Sequence, residues 1–471
     1  MFILMVIVFV LGYIAIALEH PLKIDKAATA LLIGTLTWTI YILGVPDILE
    51  LGFSNAWHHF LESSALQDFL VNKPDATTID KMIYFVSHHE TTHHLAEAST
   101  ILFFLLGAMT IVEIVDQHQG FKIITDKIKT TDRIKLLWIL SFLTFFMSAA
   151  LDNLTTTIVM VALLRKLVAN KKERWFMAGM IILAANAGGA WSPIGDVTTI
   201  MLWIGGQVTT LRIIIDVFLP SMVTMLVPLI IVSVFYKKYQ VERPVLDSVE
   251  SKEYTTHKER LTILIMGVGA LLFVPVFKTF THLQPFLGML FGLSILWITT
   301  EIMHKTKEGE DKRRLTVVGI LKKVDVPTVL FFLGILTAVS SLSSAGHLDL
   351  LAGFLNDKLG NIYAINIIIG LLSSIVDNVP LVAASMGMYD IASPEVVGYA
   401  ANFVQDGPFW QFLAYCAGTG GSILIIGSAA GVAAMGMEKI DFIWYLKKMS
   451  LLALTGYIAG ALVYYVQTML L

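Results

Sequence analysis

Charged residues are scarce in this chain of 471 residues. Only 15% of the residues are Asp, Glu, Lys or Arg, whereas 56% are hydrophobic, and the mean hydropathy is +0.75. A soluble protein of this length carries more charge on its surface. The composition therefore excludes that class and predicts a multi-pass membrane protein embedded in a lipid bilayer. The net charge of −3 gives no indication of a nucleic-acid partner.

Cysteine is nearly absent as well. Cys416 is the only one, which excludes an internal disulfide, and its apolar surroundings predict a packed core position. The N-terminus lacks the basic stretch and the A-x-A cleavage site of a signal peptide, so we predict that the apolar segment 2–18 is a retained helix. We predict no cofactor and no structural metal.

Apolar runs long enough to cross a bilayer recur along the chain. Between them lie two double segments, 134–168 and 362–388. The first is shorter than the about 40 residues that two crossings need, and we expect it to be a re-entrant helical hairpin with its tip inside the membrane. We expect the second to be its counterpart from the other side. The single runs fall near 2–18, 27–44, 99–118, 175–205, 212–236, 261–278, 286–304, 326–343, 409–436 and 449–469.

Basic residues are distributed unevenly between the loops. Of the 33 lysines and arginines, 28 lie in one alternate set of loops. Since cytoplasmic loops are enriched in Lys and Arg, this distribution places that set in the cytoplasm and both termini outside. The set comprises 19–26, 119–135, 165–174, 237–260, 304–323 and 439–448.

Three motifs occur twice, in the same order and at nearly the same spacing. Chance explains one such match easily but three collinear matches poorly, so we predict a duplication. The charge distribution gives the two copies opposite orientations, as in the inverted repeats of secondary transporters. The pairs are S-x-x-x-D-N at 148–153 and 373–378, T-x-L-F-F-L at 100–105 and 328–333, and G-G-x5-G at 188–195 and 420–427.

The predicted fold is therefore an all-α polytopic membrane protein with two inverted repeats. Each repeat contains a re-entrant helical hairpin and a broken transmembrane helix. The predicted divisions are 1–96 for N-terminal helices and an outer segment, 97–236 for the first repeat, 237–325 for linking helices and 326–471 for the second repeat.

Acidic residues lie inside the apolar segments of both repeats. A carboxylate near the bilayer centre costs about 2.5–3.5 kcal/mol, so Asp152, Asp196 and Asp377 are predicted to be functional. Near Asp196, three glycines and Pro193 predict a broken helix whose freed carbonyl groups can hold an ion. The predicted ion-binding and proton-binding residues are Asp152, Asn153, Thr155, Thr156, Asn186, Ser192, Asp196, Thr198, Thr199, Ser373, Ser374, Asp377, Asn378, Ser422 and Ser428.

The chemistry of this set favours a hard monovalent cation. No Lys or Arg falls in these segments, and carboxylate, amide and hydroxyl oxygens are the ligands that hard cations prefer. Buried acids can be protonated near neutral pH, so protons and Na⁺ can compete for one site. We expect Asp152, Asn153 and Asp196 to hold Na⁺, with Asp377 as a third titrating group.

Three runs carry a resemblance to a known family. The sequences at 103–113, 148–156 and especially 186–199 (NAGGAWSPIGDVTT) resemble those of NhaD-type sodium/proton antiporters. These belong to the ion transporter superfamily, which also holds dicarboxylate and arsenite carriers. The resemblance covers roughly 97–466. It implies proton-driven efflux of Na⁺ and Li⁺, pH homeostasis, activation at alkaline pH, an inner (cytoplasmic) membrane location and a homodimer.

Two other functions remain as alternatives. A carrier for arsenite or a carboxylate could use the same scaffold, although three buried acids argue against it. In addition, His89-Glu90-x-x-His93 matches the H-E-x-x-H motif of zinc metallopeptidases, with Asp152 as the only candidate third ligand. We predict a transporter rather than an enzyme.

Further titratable residues flank the helix predicted at 99–118. We interpret them either as a solvated helix start and interfacial caps or as a pH-responsive group, because histidine titrates near pH 6.5. They are His88, His89, His93, His94, Glu113 and Asp116.

Overall fold

The computed structural model describes residues 1–235, 240–244, 255–305, 315–375 and 377–470. Within these ranges the chain is helical, with two isolated β-bridges and no strand. This agrees with the all-α prediction.

The helices of the N-terminal third are mostly short and follow one another closely. They are α1 (Phe2–Ala17), α2 (Glu19–Leu22), α3 (Lys26–Leu43), α4 (Val45–Leu49), α5 (Asn55–Leu61), α6 (Ser64–Asn72), α7 (Thr78–Tyr84), a π-helix (Phe85–Glu90) and α8 (Thr91–Gln117).

The middle of the chain contains longer helices. They are α9 (Lys122–Thr125), α10 (Arg133–Leu151), α11 (Asn153–Leu167), α12 (Lys171–Ala190), α13 (Val197–Ile204), α14 (Thr210–Phe235), α15 (His257–Thr281), α16 (Pro285–Met303), α17 (Val317–Leu321) and α18 (Val326–Ser344).

The C-terminal part continues with α19 (His347–Leu359), α20 (Ile362–Leu372), α21 (Asn378–Met388), a 3-10 helix (Gly398–Phe403), α22 (Pro408–Gly420), α23 (Ala429–Glu438), α24 (Phe442–Lys448) and α25 (Ser450–Leu470).

Eight helical stretches within the described residues are long and apolar enough to cross a membrane. They are Lys26–Leu43, Thr78–Gln117, Arg133–Leu151, Thr210–Phe235, His257–Thr281, Pro285–Met303, Val326–Ser344 and Ser450–Leu470. The multi-pass prediction is thereby confirmed. One boundary differs: the helix expected at 99–118 continues an unbroken helical run from Thr78, because the polar residues before 99 pair with one another instead of ending it.

The chain divides into two compact units. The first comprises 1–102, 325–365 and 379–391. Its centre is the packing of α3 against α18, where the Trp38 indole donates to the carbonyl of Thr337 at 2.8 Å. Close packing of this kind between helices, with a hydrogen bond across it, stabilises association in a bilayer.

The second unit comprises 103–324, 366–378 and 392–471. In it α12 packs against α10, α11, α14, α22 and α23, so this helix lies at the centre of the unit. Every residue of α12 from Phe176 to Ala190 is buried. The predicted ion-binding residues all belong to this unit.

Candidate functional site

The first predicted hairpin tip is a sharp break between two helices. Helix α10 ends at Leu151, and α11 begins at Asn153. Asp152 between them has a φ of 83°, a conformation that few non-glycine residues adopt. Its carboxylate caps α11 by accepting hydrogen bonds from the Thr155 backbone N–H at 2.7 Å and hydroxyl at 2.9 Å. The cap stabilises the new helix start, and it places Asn153 in the interior.

The second break lies between α12 and α13. Helix α12 ends at Ala190, and the segment containing Pro193 and Gly195 has no regular structure before α13 begins at Val197. Asp196 is the N-cap of α13. One carboxylate oxygen, Oδ1, accepts from the Thr198 N–H at 2.9 Å and from the Thr198 hydroxyl at 2.8 Å. Both breaks therefore present an aspartate at a helix N-terminus, where the helix dipole favours negative charge.

The second copy of the motifs contains the equivalent breaks. Helix α20 ends at Leu372 and α21 begins at Asn378; α22 ends at Gly420 and α23 begins at Ala429. Ser428 stands where the first copy has Asp196, and its hydroxyl caps α23 by accepting from the Gly431 N–H at 3.2 Å. At three of the four breaks, a side chain within the described residues caps the helix that follows: an aspartate at two of them and a serine hydroxyl at the third.

A network of buried side chains joins these breaks, with Asp196 at one end. Asp196 is 1% exposed. The Asn153 amide donates to its Oδ2 at 2.5 Å, and the Asn378 amide lies 3.4 and 3.5 Å from its two oxygens. Asp196 therefore contacts both D-N motifs, one from each copy, and the donors to its carboxylate are neutral side chains and one backbone amide.

Asn186 extends the network to the remaining break. Its carbonyl oxygen accepts from the Asn153 amide at 3.1 Å, and its own amide donates to the hydroxyls of Ser422 and Ser428, each at 2.9 Å. Asn186 is fully buried on α12. This side chain consequently links the break at Asp152 in the first copy to the break before α23 in the second copy.

The helices come very close together behind the network. A Cβ at Gly188 would overlap the carbonyl oxygen of Phe145, and one at Gly420 would overlap that of Gly370. Only glycine permits such an approach. In both copies the serine of the S-x-x-x-D-N motif also donates to the helix before the glycine-rich break: Ser148 to the carbonyl of Ala185 and Ser373 to that of Ala417, at 2.6 and 2.8 Å.

Several predicted residues make contacts other than the expected ones. The hydroxyls of Ser192 and Ser374 donate to the carbonyls of Ala149 and Leu371, at 2.5 and 2.6 Å. The Thr199 hydroxyl donates to the carbonyl of Asp196 at 2.8 Å. These hydroxyls therefore stabilise the backbone around the helix breaks. Asp377, the third predicted acid, is half-buried beside Asn378.

Two hydroxyls on α11 are candidates for ion contact. Thr156 and Thr157 are fully buried, and neither hydroxyl has a hydrogen-bond partner among the described residues. Since buried hydroxyls are normally satisfied, each offers an oxygen. Sequence reasoning missed Thr157 and also Ser148; the T-T-T run after the D-N motif could have pointed to the former, and the match to Ser373 to the latter.

The histidines predicted to respond to pH lie in the other unit, on the π-helix and α8. Buried Glu90 contacts His89 at 3.2 Å and His94 at 3.4 Å, while Glu97 contacts His93 at 3.3 Å and His94 at 3.1 Å. The histidines of the H-E-x-x-H motif thus pair with different carboxylates. No group of three metal-binding side chains occurs in the part of the chain that the structure describes.

The remaining predicted residues are exposed or half-buried. His88 is exposed and contacts the Ser87 hydroxyl at 2.8 Å. Near the end of α8, Glu113 accepts from the Gln117 amide at 2.8 Å, and Asp116 is exposed. Neither acid contacts the network around Asp196 in the described residues.

Comparison with known proteins gives consistent matches over most of the chain. A family model described as "Citrate transporter" matches residues 5–404. Sodium/proton antiporter 1 of Arabidopsis thaliana is 45% identical over 461 residues, covering 98% of this chain and 71% of that protein. Na(+)/H(+) antiporter NhaD of Vibrio cholerae is 30% identical over 484 residues, covering 96% and 89%.

A further NhaD, from Alkalimonas amylolytica, is 29% identical over 488 residues, covering 97% of this chain and 89% of that protein. The resemblance inferred from the motifs is confirmed. The chain therefore belongs to the citrate transporter family and, within it, to the NhaD-type sodium/proton antiporters.

Proposed function

We propose that this protein is a multi-pass carrier of the inner membrane that exchanges Na⁺ for protons at the network around Asp196. The names of its relatives support the exchange of these two ions. An ionised carboxylate can bind Na⁺, whereas a protonated one cannot, so the two cations exclude each other. If the site opens to each side in turn, this competition alone couples their movements.

The observation that carries the proposal is the surroundings of Asp196. This carboxylate is 1% exposed and accepts hydrogen bonds from Asn153, Thr198 and Asn378. A buried carboxylate without a cationic partner is costly unless a cation or a proton compensates it. The amide and hydroxyl oxygens of this network, and the hydroxyls of Thr156 and Thr157 one helical turn from Asn153 on α11, are suitable ligands for Na⁺ and Li⁺.

We further propose that the two copies form inverted repeats with re-entrant hairpins. The paired glycine and serine contacts described above support a common origin of the copies. Helices α20 and α21 have 11 residues each, or about 16 Å at 1.5 Å per residue. This is about half the thickness of a bilayer's hydrocarbon core, which favours a hairpin whose tip lies at mid-membrane. A homodimer remains part of the proposal.

An anion carrier is the competing function, since the matching family model is described as "Citrate transporter". Anion sites typically use Arg, Lys or helix N-termini without buried acids. The acid at Asp196 and its neutral donors favour a cation. Uptake of radiolabelled citrate or arsenite by proteoliposomes, with no exchange of Na⁺ for protons, would support the carrier instead.

The test is Na⁺-dependent proton movement in proteoliposomes. We expect Asp152→Asn and Asp196→Asn each to abolish exchange, because the amide cannot take up and release a proton. Asp377→Asn should impair exchange and leave partial activity. Asp132→Asn is the matched control, because Asp132 is also the N-cap of a helix and accepts from the Lys135 N–H at 2.9 Å. Normal exchange by the Asp196→Asn protein would refute the proposal.

A further inference from the structure

Three helices that meet at the proposed ion site are also joined at their opposite ends. Helix α11 begins with Asn153, α12 carries Asn186 near its end, and α23 is capped by Ser428. The far ends of the same helices carry Arg165, Arg174 and Glu438. About 10–12 residues separate each pair, or about 15–18 Å along the helix.

Glu438 is the centre of this second junction. Its side chain carries a carboxyl group but is only 1% exposed, and it lies at the end of α23. The Arg165 Nε donates to one carboxylate oxygen at 2.6 Å, and the Arg174 Nε donates to the other at 2.9 Å. A guanidinium group from each of two helices therefore binds a carboxylate from the third.

Backbone groups strengthen the same junction. The Trp175 indole donates to the carbonyl of Glu438 at 3.0 Å, and the Arg165 guanidinium also donates to the carbonyl of Met437. The Arg174 guanidinium caps the end of α11 by donating to the carbonyls of Val168 and Ala169, at 3.1 and 2.7 Å. Directional bonds of this kind fix how far each helix can slide along its neighbours.

We propose that Glu438 is a positioning residue for the ion site: by holding Arg165 and Arg174, it sets the lengthwise register of α11, α12 and α23. The hydrogen bond from Asn186 to Ser428 crosses from α12 to the cap of α23, and the bond from Asn153 to Asn186 crosses from α11 to α12. A shift of any one helix along its axis would lengthen these bonds. The inference rests on the proposed function, since the site that it positions is the exchange site.

The lengthwise register of α11, α12 and α23 should affect the affinity for Na⁺ more than the maximal rate of exchange. Misplacing binding groups by about 1 Å can weaken a function by up to about a hundredfold. Glu438 itself lies too far from Asp196 to bind the ion. Its loss should therefore raise the KM for Na⁺, while Vmax per folded protein changes little.

The experiment compares four proteins in proteoliposomes: wild type, Glu438→Gln, Glu438→Asp and Asp441→Asn. Asp441 is a matched control, because it is an exposed acid three residues away that caps α24 through the Trp444 N–H at 2.7 Å, and asparagine is an equally good cap. We expect Glu438→Gln to raise the KM for Na⁺ by about tenfold or more. Glu438→Asp, which keeps the charge, should lie between it and wild type.

The proposal is overturned if Glu438→Gln has the KM of the Asp441→Asn control, or if it lowers only the yield of folded protein. Should Glu438→Gln fail to fold, Arg165→Gln replaces it, since this partly exposed arginine leaves less buried charge behind. The same rise in KM supports the proposal, and an unchanged KM overturns it.

A second measurement separates this inference from the proposed function. Hydrogen exchange of the backbone amides at 428–432 reports the register of α23 without requiring transport. Faster exchange there in Glu438→Gln, relative to Asp441→Asn, is the expected result, and equal exchange overturns the role of Glu438. If wild type fails to exchange Na⁺ for protons, the proposed function fails independently of this result.

Discussion

Replacing Asn186 with alanine should affect stability and ion affinity together. The change removes three side-chain hydrogen bonds, one accepted from Asn153 and one donated to each of Ser422 and Ser428. Hydrogen bonds between membrane helices contribute about 0.6 kcal/mol on average, and bonds in soluble proteins about 1 kcal/mol. Three of them give a loss of about 2–3 kcal/mol in the free energy of unfolding.

The affinity for Na⁺ should fall by a related amount. Without Asn186, the Asn153 amide loses one of its two acceptors and is held only through Asp196. If half of the lost free energy of unfolding also weakens Na⁺ binding, the KM for Na⁺ rises about tenfold, since 1.4 kcal/mol corresponds to a factor of ten. The assays are unfolding in mixed detergent micelles and Na⁺-dependent proton movement in proteoliposomes.

Asn366→Ala is the matched control for this prediction. Asn366 is an equally buried asparagine of the same unit, but it donates a single hydrogen bond, to the carbonyl of Phe409 at 3.1 Å. Its replacement should cost about 1 kcal/mol or less and leave the KM unchanged. If the Asn186 and Asn366 variants lost equal stability and kept the same KM, the reasoning about the bridge would be refuted.

The close approach of the helices gives two more predictions. Gly188→Ala should reduce the yield of folded, active protein, because its methyl group would overlap the carbonyl oxygen of Phe145, and overpacking costs about 1–3 kcal/mol or more. Gly436→Ala is the control, since a Cβ there meets no atom within 4 Å; it should stabilise its helix by about 0.5–1 kcal/mol. Gly420→Ala should behave like Gly188→Ala, because it faces the carbonyl oxygen of Gly370 in the second copy. Size-exclusion profiles and thermal unfolding of the purified variants check both, and monodisperse, equally stable alanine variants at 188 and 420 would contradict the packing.

The helix breaks could be predicted from the sequence because their residues are unsuited to an apolar helix. Asp152 and Asn153 interrupt one apolar run, and Pro193 with its neighbouring glycines interrupts another. Such residues remain in a membrane segment only where the backbone changes direction or where a polar site compensates them. The structure has its breaks at both places.

The sequence did not predict that the helical run containing α8 begins well before residue 99. The residues from 87 to 97 include four histidines and two glutamates, so their polarity indicated that the helix begins after them. In the structure Glu90 and Glu97 pair with His89, His93 and His94 along the helical run, partly through contacts one turn apart. The hydropathy of single residues does not include this mutual compensation.

Hydrogen bonds between residues far apart in the sequence could not be predicted either. Glu438 directly precedes the basic loop 439–448, and its sequence surroundings give no sign of a special role. Its partners Arg165 and Arg174 are 273 and 264 residues away. Likewise, the sequence predicted Asn186, Ser422 and Ser428 as polar groups of one site, but not that Asn186 bonds to both serines.

Proton release on Na⁺ binding tests the central claim most directly. NaCl is added to purified protein in weakly buffered detergent solution, and a pH indicator reports the pH of the solution. Choline chloride serves as the control for ionic strength. Because Na⁺ displaces the proton from the buried Asp196 carboxylate, NaCl should acidify the solution of wild-type protein, whereas choline chloride should not, and Asp196→Asn should lose the response. Saturable Na⁺ binding by the wild-type protein without any release of protons would contradict the account.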